Sequence, residues 1–252
     1  MRIDILSLFP EMFDAVLCKS IIGRAVSNNL VQLEFINIRD FTEDKHKKVD
    51  DAPYGGGLGM VMQCQPIFSA VQHVTKQIGC KPHVILMTPQ GKPFDQNKAK
   101  ELTKYQNIAI ICGHYEGVDQ RVSDGLVDEE ISLGDFVLTG GEIAAMAITD
   151  AVCRLLPGVL KEDDSHMIES FSSGLLEYPQ YTRPPVFQEM AVPEILFTGH
   201  HKNIEEWRHY QGLKNTYLKR RELLDAVELS KQDQKMLKQI KEEINEKKHS
   251  SI

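Results

Sequence analysis

Apolar runs alternate with helical periodicity along the first 160 residues. The stretch ILSL within 3–8 reads as a buried strand, and Pro10 suits the first turn of a helix reaching about residue 18. A second helix is predicted over 20–27, closed by Asn28-Asn29, and the β-rich alternation of 31–38 predicts a strand. Helical spacing returns over 66–78, strand character at 83–87, a helix over 95–104 and a strand at 108–111. A last apolar run at about 130–133 precedes a helix over 141–156. There Ile143, Met146, Ala147, Asp150 and Arg154 recur at helical spacing, and Pro157-Gly158 stops it. Strand-like runs separated by helices predict an α/β domain on a parallel sheet.

Two stretches break this rhythm. Residues 41–60 are charged and then glycine-rich, and four glycines in five positions (55–59) form no stable helix or strand, so a long loop is expected. The run 159–173 is polar and reads as a linker. Beyond it, Pro179, Pro184, Pro185 and Pro193 punctuate an extended segment, and helical text follows over 203–212, 215–227 and 230–247. The organisation expected is an α/β domain over 1–160, a linker over 161–175 and a smaller helical domain over 176–252.

Function is written most densely between 111 and 141. Three of the predicted strands run into glycine-bearing loops: Thr88-Pro89-Gln90-Gly91, Cys112-Gly113-His114-Tyr115-Glu116-Gly117, and the run 133–141 (LGDFVLTGG). Loops leaving neighbouring parallel strands gather at one sheet edge, where open α/β folds bind small molecules. Glycine lets main-chain amides and carbonyls approach a ligand closely, so these loops predict a pocket built mostly from backbone. The helix after Gly140-Gly141 points its free amides at the same place.

Composition narrows the class. The chain has 252 residues, is 42% hydrophobic and 26% charged, and contains no run of roughly 20 apolar residues that a membrane span needs. Its five cysteines are scattered and never in a C-x-x-C pair, which argues against a disulfide framework or a structural zinc site and fits a reducing cytoplasm. Net charge is −7, yet it is unevenly spread: residues 1–175 carry 16 basic against 24 acidic side chains, residues 176–252 carry 13 against 12. Local clusters at 45–48, 200–202 and 219–221 are positive enough to meet phosphates, although solvated surface charge explains any one of them equally simply.

Neither the dinucleotide fingerprint nor the P-loop stands in a strand–turn–helix context, and no G-x-S-x-G elbow is present, so nucleotide hydrolysis, hydride transfer and serine hydrolysis are not indicated. His114 is either a base or a hydrogen-bonded structural histidine. Glu116 is the better ligand contact, since a carboxylate accepts from ribose hydroxyls or an amine. The run Asp119-Gln120-Arg121 can supply a simple ion pair with Glu116 one helical turn away, through Arg121. Arg154, near the end of an apolar helix, needs an anionic partner. Glu169 is either functional or a helix-start carboxylate.

Taken in order, ILSLFP at 5–10 with Met12-Phe13, DDAPYGGGLGMVM at 50–62, TPQG at 88–91, CGHYEGVDQR at 112–121, EISLGDFVLTGGE at 130–142, the stretch 150–160, ESFSSGLLEYPQYTRP at 169–184 and GHH at 199–201 resemble the bacterial tRNA (guanine-N1)-methyltransferase family of the SPOUT class, with close spacing from the first strand to about Arg221. The resemblance implies a parallel α/β sheet whose C-terminal part is tied in a trefoil knot, plus a small all-helical C-terminal domain. It implies methyl transfer from S-adenosyl-L-methionine to N1 of guanine at tRNA position 37. Cofactor contacts would fall on Pro89, Gly113, Glu116, Gly117, Leu133, Gly134, Asp135, Phe136, Val137 and Leu138, with Gly140 and Gly141 closing the pocket. Glu169 would be the general base, where the family usually has aspartate, and Arg154 the donor to O6. Asp50, Tyr54, Gly55, Gly59, Tyr181, Arg183, His201 and Lys202 would contact the anticodon arm. The family works as a cytoplasmic homodimer with its active site at the subunit interface, and no membrane or DNA partner is expected. Magnesium is a further cofactor to test, for which the sequence offers no ligand cluster. The competing readings are another knotted RNA methyltransferase acting on a different base or a ribose 2′-hydroxyl, and a non-catalytic binding module.

Overall fold

The computed structural model describes residues 1–161 and 169–249. The linker expected over 161–175 therefore lies partly, at 162–168, outside the described residues. The chain divides into two compact units, Met1–Asp163 and Asp164–Ile252.

The first unit is built on strands β1 (Arg2–Ser7), β2 (Gln32–Asn37), β5 (His83–Pro93), β6 (Asn107–Cys112) and β7 (Glu129–Ser132), paired in the order β2-β1-β6-β5-β7. Every pairing in this sheet is parallel. The central strands β1 and β6 are buried along nearly their whole length, as strands covered on both faces must be. Alternate residues feed two cores. Ile3, Ile5, Ile108, Ile110 and Cys112 pack with helices α1 (Asp14–Leu17), α2 (Ser20–Ser27), α4 (Gln96–Leu102) and α6 (Glu142–Cys153). Leu6, Val84, Leu86, Ala109 and Ile111 pack with α3 (Cys64–Ile78) and α5 (Gln120–Leu126). Asp4 is fully buried within β1, where Arg2 grips its carboxylate at 2.7 Å.

Four local expectations are corrected. The helix predicted from Pro10 is two pieces, a 3-10 turn at Pro10–Met12 followed by α1. The loop at 41–60 holds a short strand, β3 (Asp50–Asp51), paired antiparallel with β4 (Val61–Met62) around the glycine turn. Thr88-Pro89-Gln90-Gly91 does not end its strand. β5 bulges there and pairs with β7 again at Lys92 and Pro93, because the sheet edge regains hydrogen bonds beyond the proline. Asp119 and Arg121 pair with each other at 2.7 Å rather than with Glu116, since Asp119 caps α5 through the Arg121 amide.

The second unit carries the small antiparallel ribbon β8 (Val186–Phe187) and β9 (Met190–Ala191), then α7 (His201–Lys219), a 3-10 segment Arg221–Ala226 and α8 (Lys231–His249). Its core is Leu175, Leu213, Leu237 and Ile240. The two helices expected over 203–227 are one continuous helix followed by a 3-10 turn. Gly212 does not break α7. It is buried there, and an added Cβ would lie 2.9 Å from the Leu176 carbonyl, so glycine serves close approach. Thr216, one turn on, donates to the Gly212 carbonyl at 2.7 Å and accepts from the Leu176 amide at 2.9 Å.

Candidate functional site

The C-terminal ends of the adjacent strands β6, β5 and β7 frame a cavity of about 330 Å³. That volume is at the lower end of what small-molecule pockets occupy. Four of its lining residues are glycines, Gly113, Gly117, Gly140 and Gly141. Pro89 and Gln90 of the β5 bulge, Gly113 to Val118 after β6, and Leu133 with Phe136 to Gly141 after β7 line it. Gln120 and Ser123 reach it from α5, and Ala144 from α6.

Local chemistry fixes each loop. After β6 the backbone turns sharply: Tyr115 has φ 58° and Gly117 φ 117°. The Gly117 amide donates to the His114 carbonyl, the Glu116 amide to the Met60 carbonyl and the Met62 amide to the Gly117 carbonyl, all at 3.0 Å. That ties the loop to the end of the glycine turn. Gly59 makes the crossing possible, because a Cβ there would lie 2.6 Å from Oε1 of Glu116. After β7, Ser132 Oγ accepts from the Gly134 amide at 3.1 Å and starts the run that returns at Gly140. The two loops are then stitched together. His114 bridges Gly140 in antiparallel fashion, and the Gly141 amide donates to the Gly113 carbonyl at 2.8 Å.

Beneath this seam lies a buried polar cluster. Glu142, 3% exposed, is the first residue of α6, where the helix dipole favours a carboxylate. Its Oε1 accepts from Ser7 Oγ at 2.7 Å, and its Oε2 stands 3.9 Å from Nδ1 of His114. Burial, with the Glu142 charge adding to it, pushes the Cys112 thiol well above its ordinary range, and burial raises Cys153 to about 12. Both stay protonated and are poor nucleophiles.

Of the residues expected around the cofactor, Pro89, Gly113, Glu116, Gly117, Leu133, Phe136, Val137, Leu138, Gly140 and Gly141 line this one cavity. Gly134 and Asp135 belong to the same loop and are not among the lining residues. Arg154 follows directly on α6 as its C-terminal cap and is half-buried. Glu169 belongs to the second unit, in a turn where its carbonyl accepts from the Ser172 amide at 3.2 Å. Asp50 sits in β3, while Tyr54 is fully exposed and Gly55 and Gly59 both hold positive φ. In the second unit the Tyr181 ring lies 6.4 Å from Trp207, and His201 and Lys202 open α7. Arg183 stands exposed in the segment before β8. Sequence reasoning missed the cavity face of α5. Its signal was Asp119, an aspartate placed to cap the helix beginning at Gln120. Among the described residues, no three His, Cys, Asp or Glu side chains converge as a metal site, and no helix is long and apolar enough to cross a membrane.

The cavity suits a ligand with an apolar ring and polar arms. Leu133, Phe136, Val137, Leu138 and Pro89 supply apolar walls, with Glu116, Gln90 and Glu130 beside them. An added Cβ at Gly117 would meet no atom within 4 Å, so it is the φ of 117°, not crowding, that calls for glycine there. Fold and pocket together define an α/β protein with a ligand-sized cavity between two strand-end loops and a strand bulge of its parallel sheet. The tRNA (Guanine-1)-methyltransferase TrmD family model matches residues 1–226. Two relatives named tRNA (guanine-N(1)-)-methyltransferase, from Bacillus cereus (strain AH820) and Bacillus anthracis (strain A0248), are each 55% identical over 242 residues, 96% of this chain and 99% of theirs. The crystal structure of a tRNA (m1G37) methyltransferase from Aquifex aeolicus is similar at 42% identity and a TM-score of 0.73, covering 90% of this chain and 95% of that one. The chain belongs to the tRNA (guanine-1)-methyltransferase TrmD family.

Proposed function

We propose that this protein transfers the methyl group of S-adenosyl-L-methionine to N1 of guanine at position 37 of tRNA, next to the anticodon. Family membership supports the reaction, and the glycine-bearing cavity at the ends of β6 and β7 and the bulge of β5 is the observation that carries it. When bound, the cofactor supplies an electrophilic methyl group on a sulfonium; every other demand falls on the chain. Leu133, Phe136 and Leu138 would hold the purine of the cofactor, and Glu116 would accept from its ribose hydroxyls. Family membership supports the trefoil knot of the SPOUT class in this part of the chain.

Guanine N1 carries a proton at neutral pH and is not nucleophilic until it leaves, and O6 becomes negative as it does. A general base within hydrogen-bond reach of N1 and a cationic donor at O6 are therefore required. Glu169 would take the N1 proton and Arg154 would donate to O6, and S-adenosyl-L-methionine held by the cavity loops would supply the methyl group. Residues 1–160 form the methyl-transfer part, 161–175 the linker and 176–252 the part that grips the anticodon arm through Tyr181, Arg183, His201 and Lys202. Asp50, Tyr54, Gly55 and Gly59 add contacts from the glycine turn. Aromatic and basic side chains of this kind stack on unpaired bases and meet phosphates. The working form is a cytoplasmic homodimer, with Glu169 of one subunit serving the cofactor of the other. Magnesium is the further cofactor to test, by chelation followed by readdition, and among the described residues no three His, Cys, Asp or Glu side chains converge to hold it.

The deciding experiment incubates the protein with labelled S-adenosylmethionine and tRNA transcripts bearing guanine or adenine at position 37. Label in the guanine transcript alone is expected. Label in both, or in neither, defeats the reading.

A further inference from the structure

At the cavity the buried carboxylate of Glu142 faces the half-buried imidazole of His114, a lining residue, and the methyl-transfer chemistry uses neither. Glu142 has one oxygen held by Ser7 and the other facing His114 at 3.9 Å, just beyond hydrogen-bond distance. Nδ1 of His114 is buried and has no hydrogen-bond partner, and a buried polar nitrogen left in that state is costly. The imidazole is fixed on its other sides by Phe9, with ring centroids 5.1 Å apart, and by Tyr115, edge-on at 4.9 Å. Gly140 runs through the gap: a Cβ on it would lie 2.3 Å from Oε2 of Glu142 and 2.5 Å from Nδ1 of His114. Only glycine lets the two side chains face each other across the strand that closes the pocket.

We propose that His114 and Glu142 are positioning residues for cofactor binding, forming a latch in which the Ser7-anchored carboxylate accepts from Nδ1–H of His114 when the cavity is filled. Closing the 3.9 Å gap draws the two stitched loops together around Gly140 and satisfies the orphaned nitrogen. Hydrogen bonds at functional sites are often long in the free protein and tighten in the complex. The inference rests on the cavity being the S-adenosylmethionine site. Its prediction is specific: affinity for that ligand depends on the latch, whereas the rate at saturation does not.

The full chain is titrated calorimetrically with S-adenosylmethionine, and its methylation kinetics are followed in parallel, as wild type, H114F, H114N and E142Q. Phenylalanine keeps a ring against Phe9 and removes the donor, while asparagine places an amide N–H near the position of Nδ1. H114F is expected to raise Kd and KM by about tenfold, with kcat changed less than about twofold. H114N should recover most of the affinity, and adding H114F to E142Q should cost little more than either alone. H114F binding as tightly as wild type overturns the latch, and so does a loss shared equally by H114F and H114N. A circular-dichroism melt identifies any variant that fails to fold; should E142Q do so, the contrast between H114F and H114N still decides. A wild-type protein that does not bind S-adenosylmethionine at all refutes the proposed function, a result distinguishable from these.

Discussion

The amide of Gly141 donates to the carbonyl of Gly113 at 2.8 Å, joining the loop after β7 to the loop after β6 at the floor of the cavity. The contact tolerates no side chain. An added Cβ on Gly141 would lie 2.8 Å from Cys112 Cα, 3.0 Å from Met87 Cβ and 3.1 Å from the Gly113 amide nitrogen, two of them backbone atoms. Gly141→Ala must therefore push two strand ends apart. A stability loss of about 1–3 kcal/mol is expected, together with loss of S-adenosylmethionine binding. Thermal melting and calorimetry check both, and an alanine variant that melts and binds like wild type would show that the seam is looser than described.

Gly59 makes a second prediction on the far side of the same loop. Its φ of +81° is left-handed, and a Cβ would meet Cγ of Glu116 at 2.5 Å. Gly59→Ala should weaken cofactor binding by displacing the Glu116 carboxylate, while the backbone penalty costs about 1–2 kcal/mol of stability. Glu116→Ala supplies the control, with the affinity loss and without the backbone cost. Unchanged affinity in both variants would remove Glu116 from the binding site.

Glu169 carries the proposed base function with one more methylene than the aspartate usual at this point in the family pattern. Glu169→Gln keeps the shape and removes the basicity, so turnover should fall about a hundredfold or more while cofactor affinity holds. Glu169→Asp should keep or improve turnover. Single-turnover methylation with saturating tRNA measures this, and equal rates for wild type and Glu169→Gln would take Glu169 out of the mechanism.

How far the sequence reached is clearest in particular residues. The apolar run at 108–111 identifies a buried strand directly, because strands covered on both faces carry little but aliphatic side chains, whereas 130–133 is half polar and its strand β7 lies at the sheet edge. The glycine pairs then announce main-chain contact. Gly91 misleads: it looks like a loop after a finished strand, but its missing Cβ, 2.4 Å from the Ile131 amide nitrogen, lets β5 bulge and pair again. Gly212 misleads in the same way, since its reason is the Leu176 carbonyl 36 residues upstream. The Ser7–Glu142 contact was also invisible, because it joins residues 135 positions apart and only the sheet brings them together. Local pattern reveals what a residue prefers, and distant packing decides what it does.

The edge strand β7 is tied to its neighbours by charge, which gives the fold a pH dependence. Glu129 accepts from His83 and from Lys98, each at 2.9 Å, linking β7 to the first residue of β5 and to α4. Burial alone would raise the Glu129 carboxyl, but the hydrogen bonds and charges of His83 and Lys98 outweigh it and hold the group below its ordinary value of 4.5. A carboxyl with a lowered folded-state pKa stabilises the fold above its unfolded value, and that contribution is lost as pH falls through the folded value. Glu129→Gln keeps an acceptor and removes the charge, so at neutral pH it should cost about 1 kcal/mol. The gap should narrow steadily as pH falls below the ordinary carboxylate range. Asp128, held below its ordinary value despite its burial by Lys81 and the Val84 amide, is present in both proteins and cancels in the comparison. Chemical denaturation of the two proteins at a series of pH values between about 8 and 3 measures the difference, and a gap that does not narrow on acidification would mean that the Glu129 charge contributes nothing to holding β7 in place.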